Sequence, residues 1–283
     1  MKAAGFWTWW NQYGTVPFET VARRATQCAG IITKAGYWEQ LEAFKNAGAA
    51  VAVEAYVLPH RPLDDAALLA EGIRRGAQFA VINAEEPWEH TDGVAMRALL
   101  GRLLNLAPGT QTYACIDSRA HRTTKPYAQH LIANSTAVMP MIYPLAFYPN
   151  RPDGYVGRAF ADALDRADFQ NKPVLPVIQG FGAIPPGTIH EQLADVLRRG
   201  LHGCSLYTAA HATTATWQTF AQQHRADQHH NPTHDALERA NARHHLARIL
   251  ARLALDNAQD FTTAPDTIDQ ALYVLHLART QQQ

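Results

Sequence analysis

Phe79-Ala80-Val81-Ile82-Asn83-Ala84-Glu85-Glu86 begins as an apolar, β-prone run and ends in an amide and two carboxylates. In a strand, residues two apart share a face, so Val81, Asn83 and Glu85 are expected to point the same way. Charge at the end of a buried strand is costly unless it is paired or used, so this stretch is the first place to look for chemistry.

Similar short runs lie on either side of it, and their number decides the fold. The strand candidates are 4–10, 30–34, 50–56, 79–85, 112–117, 137–143, 174–179 and 203–207. Segments of helical periodicity separate them, at 18–28, 37–47, 64–75, 93–104, 125–132, 154–167, 189–199 and 213–223. Gly48, Gly76 and Gly200 stand just past three of these, where helices stop. Strand and helix in strict alternation imply a parallel sheet with crossover helices, and eight such units imply an α/β fold of the (β/α)8 TIM-barrel type. The first strand is not followed by a GxGxxG or GxxxxGK loop, which argues against a doubly wound nucleotide-binding sheet.

The barrel is expected over residues 1–225. After it, Gln228-His229-His230-Asn231-Pro232 reads as a linker, and Leu237, Leu246, Ile249, Leu250 and Leu253 trace an apolar stripe. A second helix is expected from Pro265 to Arg279. Residues 226–283 are therefore read as a helical C-terminal extension that caps the barrel or makes a homo-oligomer or assembly contact.

Twenty-five basic residues balance twenty-five acidic ones in the 283-residue chain, so no electrostatic footprint for nucleic acid or an anionic membrane is visible. Cys28, Cys115 and Cys204 are far apart and lack metal-ligand spacing, and read as reduced core residues. His230 and His234 have i, i+4 spacing but no completing ligand, so neither metal nor cofactor is expected. The first residues lack the apolar core of a signal peptide, and no apolar run reaches the roughly 18 residues of a membrane helix. A cytoplasmic location as synthesised is expected, with any export by lysis or a non-classical route.

In a barrel of this type the site is built at the C-terminal strand ends. Here those ends carry Trp7 and Trp9, Lys34, Glu54 and Tyr56, Asn83 and Glu85, Asp117, Tyr143, Gln179 and Tyr207. Together with Trp10, Trp38 and Trp88 in the adjoining loops, the aromatics suggest platforms for the apolar faces of sugar rings. Glu86 follows Glu85 and should face the other way. Asp117-Ser118-Arg119 also reads as a strand-end ion pair.

In this layout, Val81-Ile82-Asn83-Ala84-Glu85 resembles the D-x-E strand-four end of family 25 glycoside hydrolases, the muramidases, and of related barrels in phage and bacterial genomes. Ile31-Ile32-Thr33-Lys34-Ala35-Gly36, Met139-Pro140-Met141-Ile142-Tyr143 and Pro173-Val174-Leu175-Pro176-Val177-Ile178-Gln179 add to the likeness. Family 18 chitinases also end strand four in D-x-E and carry a tyrosine at the end of strand six. That resemblance implies Glu85 as general acid, Asn83 as the group orienting the substrate's N-acetyl arm, and Tyr143 as a supporting donor. Asparagine replaces the aspartate, as it does in family 85 endo-β-N-acetylglucosaminidases. No acid ends strand one, and Gln179 ends strand seven. A conventional carboxylate pair would need Glu54 or Asp117 beside Glu85.

The expected function is hydrolysis of a glycosidic bond in an N-acetylhexosamine polymer such as peptidoglycan or chitin. Trp7, Trp9, Glu54, Tyr56, Asp117, Gln179 and Tyr207 would contact the glycan. The alternative is a barrel that binds glycan, or serves as a structural or virion component, without catalysis.

Overall fold

The computed structural model describes residues 5–230 apart from 166, 183 and 202. Eight parallel strands form a closed barrel in sequence order: β1 (Gly5–Trp9), β2 (Gly30–Lys34), β3 (Val51–Tyr56), β4 (Ala80–Ala84), β5 (Thr112–Asp117), β6 (Ala137–Ile142), β7 (Val177–Gln179) and β8 (Gly203–Tyr207). Closure is made by β1 against β8, with Gly5 opposite Gly203 and Trp7 opposite Ser205. Helices Phe18–Ala25, Trp38–Asn46, Pro62–Arg74, Val94–Leu106, Pro126–Asn134, Tyr155–Leu164 and Pro186–Arg198 link successive strands, and Thr214–His230 follows β8. The (β/α)8 architecture expected from the alternation is the one found. The apolar stripe at 237–253 and the helix expected at 265–279 lie outside the described residues. Among the described residues, no helix is long and apolar enough to cross a membrane.

Strand pleating sorts the core into two parts. Ile31, Val53, Ile82, Ile116, Ile142 and Leu206 face outward and pack with helix residues such as Leu41, Leu69, Leu99, Leu131 and Phe160. Trp7, Trp9, Ile32, Ala52, Val81, Tyr113, Cys115, Met139, Met141 and Val177 face inward and fill the barrel. β7 is shorter than the expected 174–179 because Pro176 has no N–H to give to the ladder. Only Val174, through an isolated bridge to Val138, continues the pairing below it.

The bottom of the barrel is closed by aromatics. Trp7 meets Phe79 edge-on with ring centroids 4.8 Å apart, and Phe79 lies 4.4 Å from Tyr113. The indole fits because its register partner on β2 is Gly30. A Cβ at that position would lie 2.6 Å from Trp7 Cζ3 and closer still to the Ala50 carbonyl oxygen. Gly30→Ala should therefore destabilise the fold by about 1–3 kcal/mol, the range for overpacked cores. Urea unfolding of the variant checks this, and an unchanged midpoint would show that the plug has slack.

Candidate active site

Above the aromatic plug the inward side chains become polar and the barrel opens into a cavity of about 400 Å³ at the C-terminal strand ends. Glu54 and Tyr56 of β3, Asn83 and Glu85 at β4, Tyr143 beyond β6 and Tyr207 of β8 all line it. Trp9, Trp10, Asn11, Gln12 and Tyr13 form one wall, and Lys34 of β2 stands at the rim.

Glu85 reaches the cavity because the chain stays extended for one residue past β4, at φ −117°, ψ −152°, before a single 3-10 turn over Glu86–Trp88. The turn is pinned from below: Trp88 is fully buried and its Nε1 donates to the Val57 carbonyl at 2.9 Å. Glu85 is thus held half-buried on the inner face, while Glu86 is exposed.

Three groups on two neighbouring strands make the centre. Asn83 Nδ2 donates to Glu54 Oε1 at 3.2 Å, and the same amide also stabilises the ionised form of Glu85. Its Oδ1 is buried without a partner. Two carboxylates on one side dictate this orientation, since an amide turned the other way would set oxygen against oxygen. Burial raises the Glu54 carboxyl from 4.5 to about 7. The Asn83 bond and the Lys34 charge oppose that rise, and the charge of Glu85 adds to it. Lys34 is the register partner of Glu54, yet it acts only as a nearby charge and forms no ion pair with it. Glu85 is also raised, by burial first and then by Asp117, against the pull of Asn83 and Arg122.

An aromatic arc faces the carboxyls. Tyr207 lies 5.5 Å from Trp9 and 6.2 Å from Tyr143, and Phe181 closes the triangle at 5.2 and 5.7 Å. Trp9 is fixed by an Nε1 bond to Ser205 Oγ at 3.0 Å. Burial, and then the neighbouring Cys115, Tyr207 and Glu85, push the Tyr143 phenol well above its usual range, so it stays a proton-bearing donor.

Several expected contacts are not part of this cavity. Trp7 shares its face with Trp9 but sits one layer lower, fully buried in the plug. Trp88 is the staple beneath Glu85, and Trp38 packs on the outside under Arg75, 5.2 Å from its ring centroid. Gln179 is spent on backbone: its Oε1 accepts from Leu145 N at 3.1 Å and its Nε2 donates to the Phe181 carbonyl. Asp117 is paired with Arg119 at 2.5 Å and Arg122 at 2.9 Å. Burial pushes its carboxyl up, but the bonds and charges of the two arginines outweigh burial and hold it below the usual range. Conversely, Asn11, Gln12, Tyr13, Cys115 and Met141 line the cavity without having been singled out as ligand contacts. Cys115 and Met141 continue the inward alternation of β5 and β6, which is the signal that could have found them.

No protein-family model and no curated protein sequence matches the chain. Solved structures do resemble it in fold. They include the class V chitinase of Nicotiana tobaccum (TM-score 0.57, 11% identity, 78% of this chain and 98% of that one). The spore cortex-lytic enzyme SleL of Bacillus megaterium QM B1551 gives 0.53 at 8% identity, over 78% and 74%. A GH2 β-galacturonidase of Eisenbergiella tayi gives 0.53 at 12%; the match covers 78% of this chain but only 50% of that one.

The buried Glu54 leaves a signature in stability. Its unfolded form ionises at 4.5 and its folded form at about 7, so the native state holds the extra proton between those values. Stability is full below the lower value and falls as pH rises through the upper one, by about 3 kcal/mol. Glu54→Gln keeps the shape and an acceptor for Asn83. The variant should match wild type near pH 4 and melt higher than wild type near pH 8. A difference that does not change with pH would contradict the assignment.

Proposed function

We propose that this cavity hydrolyses a glycosidic bond in an N-acetylhexosamine polymer, of the peptidoglycan or chitin type, with Glu85 as general acid. The observation that carries the reading is Glu85 itself, a half-buried carboxyl of raised proton affinity at the C-terminal mouth of a barrel, facing an aromatic wall. Similarity in fold to a chitinase and to a spore cortex-lytic enzyme supports the same class of substrate.

In this reading the sugar at the bond to be cut lies against Trp9 and Tyr207, and Tyr56 borders it. Its acetamido carbonyl oxygen bonds to the anomeric carbon as the glycosidic C–O bond breaks, and the Glu85 proton passes to the leaving oxygen. Tyr143 donates to the attacking carbonyl and orients it. The Asn83 amide stabilises the Glu85 carboxylate that results. Water then opens the cyclised intermediate, giving its proton back to Glu85.

A barrel that binds such a glycan without cutting it is the second reading. It is favoured by the strand ends where other barrel glycosidases keep an acid, since β1 ends in Trp9 and β7 in Gln179.

Reducing-end release from peptidoglycan and chitin oligosaccharides decides between the two. The hydrolase reading expects turnover by wild type, a loss of about 10²- to 10⁴-fold in Glu85→Gln, and little change in Glu86→Gln. Binding without release by wild type would leave only the second reading.

A further inference from the structure

We propose that Glu54 is a second catalytic carboxylate, accepting the acetamido N–H of the bound sugar and supplying the negative charge that balances the cation formed at the reacting centre. This rests on the hydrolase reading and assigns within it a role that position 83 is not built to fill.

When the acetamido oxygen bonds to the anomeric carbon, positive charge spreads over the C–N group, and its N–H becomes a strong donor. A preorganised anion beside it is worth far more in a closed cavity than in water. Asn83 is neutral, and its oxygen is buried while its N–H edge is turned to the carboxylates. An asparagine in that pose offers neither the acceptor nor the charge. Asp117 has charge, but two arginines neutralise it. Among the described residues lining the cavity, Glu54 and Glu85 are the only carboxylates. Glu85 must begin protonated to serve as acid, which leaves Glu54.

The surroundings of Glu54 suit the task. It is 8% exposed, so its charge is poorly screened, yet it lines the cavity. The Asn83 bond holds one oxygen and fixes the carboxyl plane. Lys34 helps to keep it ionised without capping it. Glu54 holds a proton up to about 7, so the reacting form is the one in which the proton of the pair sits on Glu85 and Glu54 is ionised, and a cation developing next to Glu54 favours that form. Such a carboxyl is costly in the free protein and is compensated only when the cation forms, as selective stabilisation of a transition state requires.

The test moves the charge. Glu54→Gln should retain the fold by circular dichroism and melting while losing 100-fold or more in kcat on a chitin or peptidoglycan oligosaccharide, with KM changed only a few-fold. It should also bind N-acetylglucosamine-thiazoline, a mimic of the cyclised intermediate, at least 10-fold more weakly. Adding Asn83→Asp to Glu54→Gln restores a carboxylate one strand away and should recover part of both losses. Glu54→Gln with wild-type kcat and thiazoline affinity would overturn the proposal, as would a loss that Asn83→Asp leaves unrepaired. Absence of turnover in wild type, or persistence of turnover in Glu85→Gln, would instead overturn the hydrolase reading.

Discussion

The contact of Trp7 with Phe79, and of Phe79 with Tyr113, closes the barrel axis at its lower end. Everything functional follows from that closure. With the bottom filled by rings, the inward positions above can be polar without opening a water channel through the core. Glu54, Asn83 and Cys115 occupy them, and the remaining space becomes a cavity with one mouth. Gly30 is the concession that makes the plug possible, since any side chain there would meet the indole.

Inside the cavity the energetics run against ordinary packing. Two carboxyls share one asparagine amide, Lys34 stands off at the rim, and the Asn83 oxygen is left without a partner. A buried unsatisfied acceptor costs about 1–3 kcal/mol. Ion-paired acids elsewhere in the chain show what a purely structural solution looks like: Asp117 is gripped by two arginines, and Asp195 is matched by Arg198 at 2.6 Å. Glu54 and Glu85 lack such partners. That contrast is the structural basis of the role proposed for the two carboxyls.

The fold was legible because each strand announces itself as a β-prone run bounded by helical periodicity, and parallel pairing leaves few other arrangements. Pro176 shows the limit: hydrophobicity alone extends β7 down to Val174, whereas the missing N–H divides it. The inner face was equally legible, since Glu54, Tyr56, Asn83, Glu85, Tyr143 and Tyr207 all reach the cavity from the parity of their strands. Depth was not. Trp7 and Trp9 have the same parity, and only the stagger between β1 and its neighbours puts one in the plug and the other in the wall. Nor was pairing legible for Asp117, whose second arginine, Arg122, comes from a later turn of chain. The orientation of the Asn83 amide depends on the arrival of Glu54 from β3, a contact 29 residues away in sequence.

In the proposed reaction this pair of carboxyls, bridged by the Asn83 amide and without an arginine or lysine ion pair, is arranged around the acetamido group of a sugar. A crystal structure of the protein with N-acetylglucosamine-thiazoline tests it most directly. The ring is expected against Trp9 and Tyr207, with its nitrogen within about 3.2 Å of a Glu54 oxygen and Glu85 on the side of the departing sugar. A ligand bound outside the cavity, or bound inside it with its nitrogen away from Glu54, would contradict that arrangement.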